Sequence, residues 1–116
     1  MSKITPEQIN EGVKPIKTVF LMDVEPFKTR TTDTPVESFI YERELIEETE
    51  YGYIATTDCP GFKATYLRQD YVIFDTREEA LIHLDRVVLD KVQELEDQLS
   101  HWQKFNRVIE MEIMKP

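Results

Sequence analysis

Residues 76–105 read TREEALIHLDRVVLDKVQELEDQLSHWQKF. Thr76 offers a hydroxyl at an N-cap position, and Glu79, three residues on, has the spacing of a capping box. Glu78 and Glu79 also set negative charge at the positive end of a helix dipole. The stretch therefore predicts one long amphipathic helix from about Thr76 to about Phe105. With Leu81 at a heptad d position, the downstream a and d sites are Asp85, Val88, Val92, Leu95, Leu99 and Trp102, so the seam is apolar from Val88 onward.

The apolar face narrows along this helix. Leu81, Ile82, Leu84, Val87, Val88 and Leu89 cover much of the circumference, as a helix lying on a sheet requires, whereas from Val92 to Trp102 only a two-residue seam remains. Thirty helical residues extend about 45 Å, against about 30 Å for a compact domain of this size. The second half is thus expected to overhang, with a coiled-coil-like seam of Val88, Val92, Leu95, Leu99 and Trp102 that needs a partner. A second copy of the chain is the simplest one, because closed two-fold dimers are the commonest oligomers. Arg107 to Met114 leaves two readings open: Ile109, Met111 and Ile113 alternate with Glu110 and Glu112 as in an edge strand, yet Ile109 and Ile113 also continue the heptad.

Upstream the signals are those of strands. Thr18 to Val24 is rich in β-favouring residues and is closed by Pro26, which suits a first strand. Lys28 to Pro35 is polar, Thr-rich and aperiodic, and reads as a loop. Thr34-Pro35-Val36-Glu37 has the spacing of a capping box, and a helix over 36–55 is one reading. The aromatic and β-branched runs Phe39-Ile40-Tyr41 and Tyr51-Gly52-Tyr53-Ile54 favour a hairpin instead. Cys59-Pro60-Gly61-Phe62 fits a type II turn between two strands. Lys63 to Leu67 and Tyr71 to Phe74 follow as one bent strand or two short ones. At the other end Thr5-Pro6-Glu7-Gln8, with Gly12 as a stop, suggests one or two turns of helix. The expectation is an α+β fold in a single domain over residues 1–116. Residues 1–75 are mainly β, in a small antiparallel sheet of three to five strands; 76–105 form the helix and 106–116 an ambiguous tail.

Composition bounds the rest. The chain has 116 residues, 41% of them apolar and 32% charged, which is the balance of a folded protein of one core. Its apolar runs, such as Val19-Phe20-Leu21-Met22, are far below the roughly 20 residues of a membrane span, and residues 1–7 lack a secretory pattern, so the expected setting is cytoplasmic with no membrane partner. Fourteen basic against 23 acidic residues give a net charge of −9, which opposes direct nucleic-acid binding. The excess is central: residues 36–75 hold nine acidic and three basic residues.

No arrangement of residues demands a chemistry. The single Cys59 has no sequence neighbour to activate it, and His83 and His101 lie 18 residues apart, about 27 Å along one helix, too far to share a metal. The run Glu42, Glu44, Glu47, Glu48 and Glu50 is acidic enough for an acid/base pair or a hard cation but follows no ordered ligand spacing. On a strand, Glu42 and Glu44 point the same way about 6.8 Å apart, as do Glu48 and Glu50. Two phosphate steps of DNA rise by about the same distance, so an acidic DNA mimic that blocks a DNA-binding protein is one alternative. A solvated sheet face gives the same pattern. Tyr41, Tyr51, Tyr53 and Tyr66 offer an aromatic platform or, more simply, core packing. Lys28 and Arg30, set among Thr29, Thr31 and Thr32, offer a weak anion loop or a mobile one.

In size and character the chain resembles the small acidic accessory proteins of phages and mobile elements that bind and inhibit host factors. That likeness implies a protein partner; no cofactor and no metal are expected, because no ligand or phosphate-loop spacing occurs in the sequence. The expected function is a non-enzymatic interaction module, a homodimer through the long helix, with inhibition of a host factor as its use. The alternatives are the DNA mimic and a small polar ligand binder at a dimer interface.

Overall fold

The computed structural model describes residues 6–116. Two compact units meet in the chain at Leu81, one up to that residue and one from Ile82 to Pro116. Among the described residues the first holds six strands, all paired antiparallel: β1 (Glu7–Gln8), β2 (Lys17–Asp23), β3 (Tyr41–Glu48), β4 (Gly52–Thr56), β5 (Phe62–Leu67) and β6 (Tyr71–Phe74). They form one sheet in the order β1-β5-β4-β3-β2-β6, followed by the helix α1 (Arg77–Ile113). The fold is α+β as expected, with six strands instead of three to five.

The sheet is strongly curled, and its connectivity shows why. β5 and β6 lie four strand positions apart, about 19 Å in a flat sheet, yet only Arg68, Gln69 and Asp70 join them, in a turn closed by Asp70 N–H to the Leu67 carbonyl at 3.0 Å. Leu67 to Tyr71 can span at most about 14 Å. The sheet therefore has to wrap, and the Tyr66 ring of β5 stands edge-on to Tyr71 of β6 at 5.2 Å.

Wrapping buries every second residue. Val19 and Leu21 of β2, Leu45 of β3, Tyr53 and Ala55 of β4, and Ala64 and Tyr66 of β5 form the core, with Tyr41, Tyr71 and Ile73 packed against it. The period of two is the sheet pleat made visible. Met22, whose side chain points to the other face, is also fully buried, so β2 is covered on both sides.

Most of the local chemistry follows the sequence. Gly61 takes φ +84°, and Phe62 N–H reaches the Cys59 carbonyl at 3.3 Å, which is the expected type II turn. The hairpin over Tyr41–Thr56 forms; the Thr34-to-Glu37 capping signal yields only a single 3-10 turn, Val36–Phe39, behind Pro35. The hairpin tip is tied by Thr49, whose hydroxyl donates to the Gly52 carbonyl and accepts from Gly52 N–H. A Cβ on Gly52 would lie 2.4 Å from the Tyr66 carbonyl oxygen, so the close approach of β4 to β5 requires glycine there.

The N-terminal helical turn does not form. Its cap, Thr5, lies outside the described residues, and Glu7 and Gln8 pair instead with Lys63 and Phe62 of β5. Ile9 N–H extends this to the Gly61 carbonyl at 2.8 Å, and Gly12, at φ +82°, turns the chain and ends no helix. A few residues before a glycine cannot repay helix nucleation, whereas the free edge of β5 supplies ready hydrogen-bond partners.

The helix begins as its cap dictates, with Glu79 N–H donating to Thr76 Oγ1 at 3.1 Å. It continues to Ile113, past Phe105, and so decides the open tail in favour of the heptad. The bond from Met114 N–H to the Glu110 carbonyl, 3.1 Å, belongs to its last turn. Ala80, in its first turns, is fully buried and Leu84 nearly so. Among the described residues no helix is long and apolar enough to cross a membrane.

Candidate functional site

The unit from Ile82 onward is a single helix with one unusual property: every residue from Val88 to Pro116 is exposed. Val88, Val92, Leu95, Leu99 and Trp102, the seam residues, are between 38% and 67% exposed, and Ile109 and Ile113 prolong the row. Their spacing of four and three residues places them on one side of the helix. The opposite side is polar as far as Arg107 and ties to itself: Gln93 Nε2 donates to Asp97 Oδ1 at 3.0 Å. Helicity beyond Phe105 turns a seam of five predicted residues into eight consecutive a and d positions, Val88, Val92, Leu95, Leu99, Trp102, Asn106, Ile109 and Ile113.

The acidic run is not the regular row that an ideal strand would make. β3 carries a bulge between Leu45 and Glu47, which shifts the alternation by one residue. Glu42, Glu44 and Glu47 share one face, with Glu47 opposite Ile54, while Glu48 stands opposite the inward-facing Tyr53. Glu50 lies beyond β3, in the turn. Two of these carboxylates have partners: Glu44 accepts from the Thr18 hydroxyl at 2.7 Å and Glu48 from Arg68 at 2.8 Å. The Glu48–Glu50 spacing on which a DNA-like row depends is therefore absent.

The tyrosines do not form one platform. Tyr53 and Tyr66 are in the core, Tyr41 is half-buried, and Tyr51 is exposed at the hairpin tip. Arg68 lies over the Tyr53 ring at 4.5 Å while its Nη1 donates to the Tyr53 hydroxyl at 2.7 Å. The Glu48 hydrogen bond and charge hold the Arg68 guanidinium above its ordinary value.

Arg30 is the residue whose role the sequence reading missed. It is not free to hold an anion: its guanidinium donates to Asp23 Oδ2 and to the Tyr41 hydroxyl, and Tyr41 in turn donates to Asp23 at 3.0 Å. The side chains of Arg30 and Asp23 are only 21% and 14% exposed. Arg30 also lies over the Phe39 and Tyr41 rings, at 5.7 and 5.5 Å, so the loop from Glu25 to Ile40 is pinned to the sheet by a closed triangle of hydrogen bonds on an aromatic bed. Burial, then the Asp23 carboxylate, pushes the Tyr41 hydroxyl up to about 12. Burial likewise raises Tyr71. The available signal was Asp23 itself, an acid ending the apolar run Val19 to Met22 and so requiring a cation once buried.

One cleft of about 220 Å³ opens in the first unit, floored by Leu45, Tyr53, Ile73 and Phe74 and rimmed by Lys17, Glu48, Asp75 and Glu79. Its cation is engaged, since Lys17 donates to Asp75 at 2.7 Å, a bond that raises the lysine above its usual value. The volume falls below the roughly 300 Å³ at which small-molecule sites begin. Cys59 is exposed in its turn. His83 and His101 sit on α1 five turns apart, and no group of three or more possible metal ligands occurs among the described residues. No family model, curated protein or solved structure matches this chain.

Proposed function

We propose that this chain is a non-enzymatic protein-binding module that associates with a second copy through a coiled-coil-like second half of α1, using Val88, Val92, Leu95, Leu99 and Trp102. One observation carries the reading: an apolar stripe that stays exposed in the single chain over 26 residues, Val88 to Ile113, of a helix whose opposite side is polar as far as Arg107. Burying it removes apolar surface from water at about 25 cal/mol per Å². Scattered exposed apolar residues are ordinary on protein surfaces; a stripe in register over more than three heptads is not. Inhibition of a second, host protein is the use we propose for such a dimer, on its likeness in size and acidity to the accessory proteins of phages and mobile elements.

The test is sedimentation equilibrium of the full chain beside the double variant Leu95→Glu, Leu99→Glu. Both substituted residues are exposed in the single chain, so its fold is retained. The wild type is expected to sediment with twice the chain mass of 13.8 kDa and the variant as a monomer, with equal helical circular dichroism per chain at high dilution. A wild type that remains monomeric at millimolar concentration would overturn the reading.

A further inference from the structure

We infer that two copies of this helix pair in parallel and in register, an assignment that rests on the self-association proposed above and adds its direction. Three features of the seam bear on it, the first selecting the direction and the other two according with it. The first is Asn106, the only polar residue among the eight consecutive a and d positions from Val88 to Ile113. In a parallel, in-register pair Asn106 meets the partner's Asn106, and two carboxamides satisfy one another across the axis. A lone Asn at an a position is the device that fixes register and a two-chain state at some cost in stability. In the antiparallel pairing that keeps all eight layers, Leu99 faces Trp102 of the partner subunit and Asn106 faces the partner's Leu95. There the amide is buried against a hydrocarbon with no acceptor, which carries a desolvation penalty.

The second feature is charge. In the same heptad frame Lys91 and Gln98 occupy g positions and Glu96 and Gln103 the e positions five residues on. A parallel pair sets each Lys91 beside the partner's Glu96, twice by symmetry, each Gln98 beside the partner's Gln103 and each Phe105 beside the partner's Glu110, so the three contacts include one attraction and no like-charge clash. Lys91 is available for this, because its contact within the chain is an exposed 3.5 Å approach to Glu94. The third is Phe105, a g residue 55% exposed beside Asn106, placed on the flank of the seam where its ring can shield the amide pair from water.

The occupant of the stripe is thus a second copy running the same way. Disulfide trapping tests the direction. In a Cys59→Ser background, Val92→Cys and Ile109→Cys are made separately, mixed, and equilibrated in a glutathione redox buffer. A parallel pair brings each cysteine opposite its own counterpart, within the roughly 4.4–6.8 Å Cα separation that a disulfide requires. The expected products are Val92-to-Val92 and Ile109-to-Ile109 links. In the antiparallel pair the two residue-92 positions are about 26 Å apart and the mixed 92-to-109 link forms instead, a result that would overturn parallel pairing while leaving self-association intact.

Charge exchange gives a second readout. Lys91→Glu is expected to weaken the dimer on the order of tenfold at low salt, and Lys91→Glu with Glu96→Lys to restore it, because only parallel pairing makes residues 91 and 96 partners. Absence of rescue in a protein that still dimerises contradicts the inference. A chain that neither links nor associates contradicts both this inference and the self-association beneath it.

Discussion

Leu21 and Leu99 are the same residue in two regions of one chain, and their surroundings are opposite: Leu21 is 0% exposed and Leu99 57%. In the sheet the cause is closure. A three-residue turn between β5 and β6 forces the five strands from β5 to β6 to wrap, so alternate residues of each strand meet those of strands that a flat sheet would hold far apart. In the helix beyond Val88 the apolar residues recur just as regularly, at spacings of four and three, but a single helix cannot close on itself. Periodicity alone therefore does not tell whether a stripe is a core or an interface. What separates them is whether the chain supplies the facing surface.

The largest expected effect sets these two leucines against each other. Leu21→Ala should lower the unfolding free energy of the sheet unit by about 3 kcal/mol, since it opens a cavity in a closed core. Leu99→Ala should leave that unit's urea midpoint unchanged and act only on the concentration dependence of association. Equal losses at high dilution would erase the distinction.

Arg30→Ala comes next, at about 3 kcal/mol, because it strands the Asp23 carboxylate in a site only 14% exposed to water. Urea denaturation measures it, and a change below 0.5 kcal/mol on that scale would mean the loop is not pinned (roughly the range of ordinary surface substitutions). Gly52→Ala should cost about 2 kcal/mol, as its Cβ would press on the Tyr66 carbonyl and part β4 from β5. The effect should be the same at every protein concentration.

The smallest effect is a pH dependence. Tyr41 titrates near 12 in the folded chain and near its ordinary value of 10 when unfolded. Below pH 10 both states keep the proton; between 10 and 12 only the folded state does, so stability falls across that window as the unfolded chain ionises. The loss is about 1–2 kcal/mol, reduced from the full shift because the ring is only half-buried. Tyr41→Phe should flatten this part of the alkaline profile, and an unaltered slope in that variant would assign it elsewhere.

The sequence carried the local elements further than their assembly. Thr76 with Glu79, Pro60 with Gly61, and the runs around Tyr41 and Tyr53 announce a cap, a turn and a hairpin because each signal lies within a few residues. The sheet order was not legible: Arg68 to Asp70 reads as a mere interruption, and nothing local says that β6 leaves β5 to pair with β2. β1 escaped notice because two residues carry no period. The bulge at Ile46 was equally hidden, and with it the break in the acidic row. The stripe from Val88 is legible in its spacing, but its extension to Ile113 is not, since Ile109 and Ile113 fit both periods and Met111 favours the alternation. Arg30 was obscured by distance: its partners, Asp23 and Tyr41, are seven and eleven residues away and meet it only once the sheet has curled.

Trp102 is the chain's only tryptophan and stands in the middle of the exposed stripe, so its fluorescence reports on that surface alone. Dilution of the full chain from high micromolar to low nanomolar concentration should move its emission to longer wavelength and increase acrylamide quenching, in step with the dissociation seen by sedimentation. Emission that is fully solvent-exposed and invariant at every concentration would contradict the account, because the indole would then have no partner to cover it.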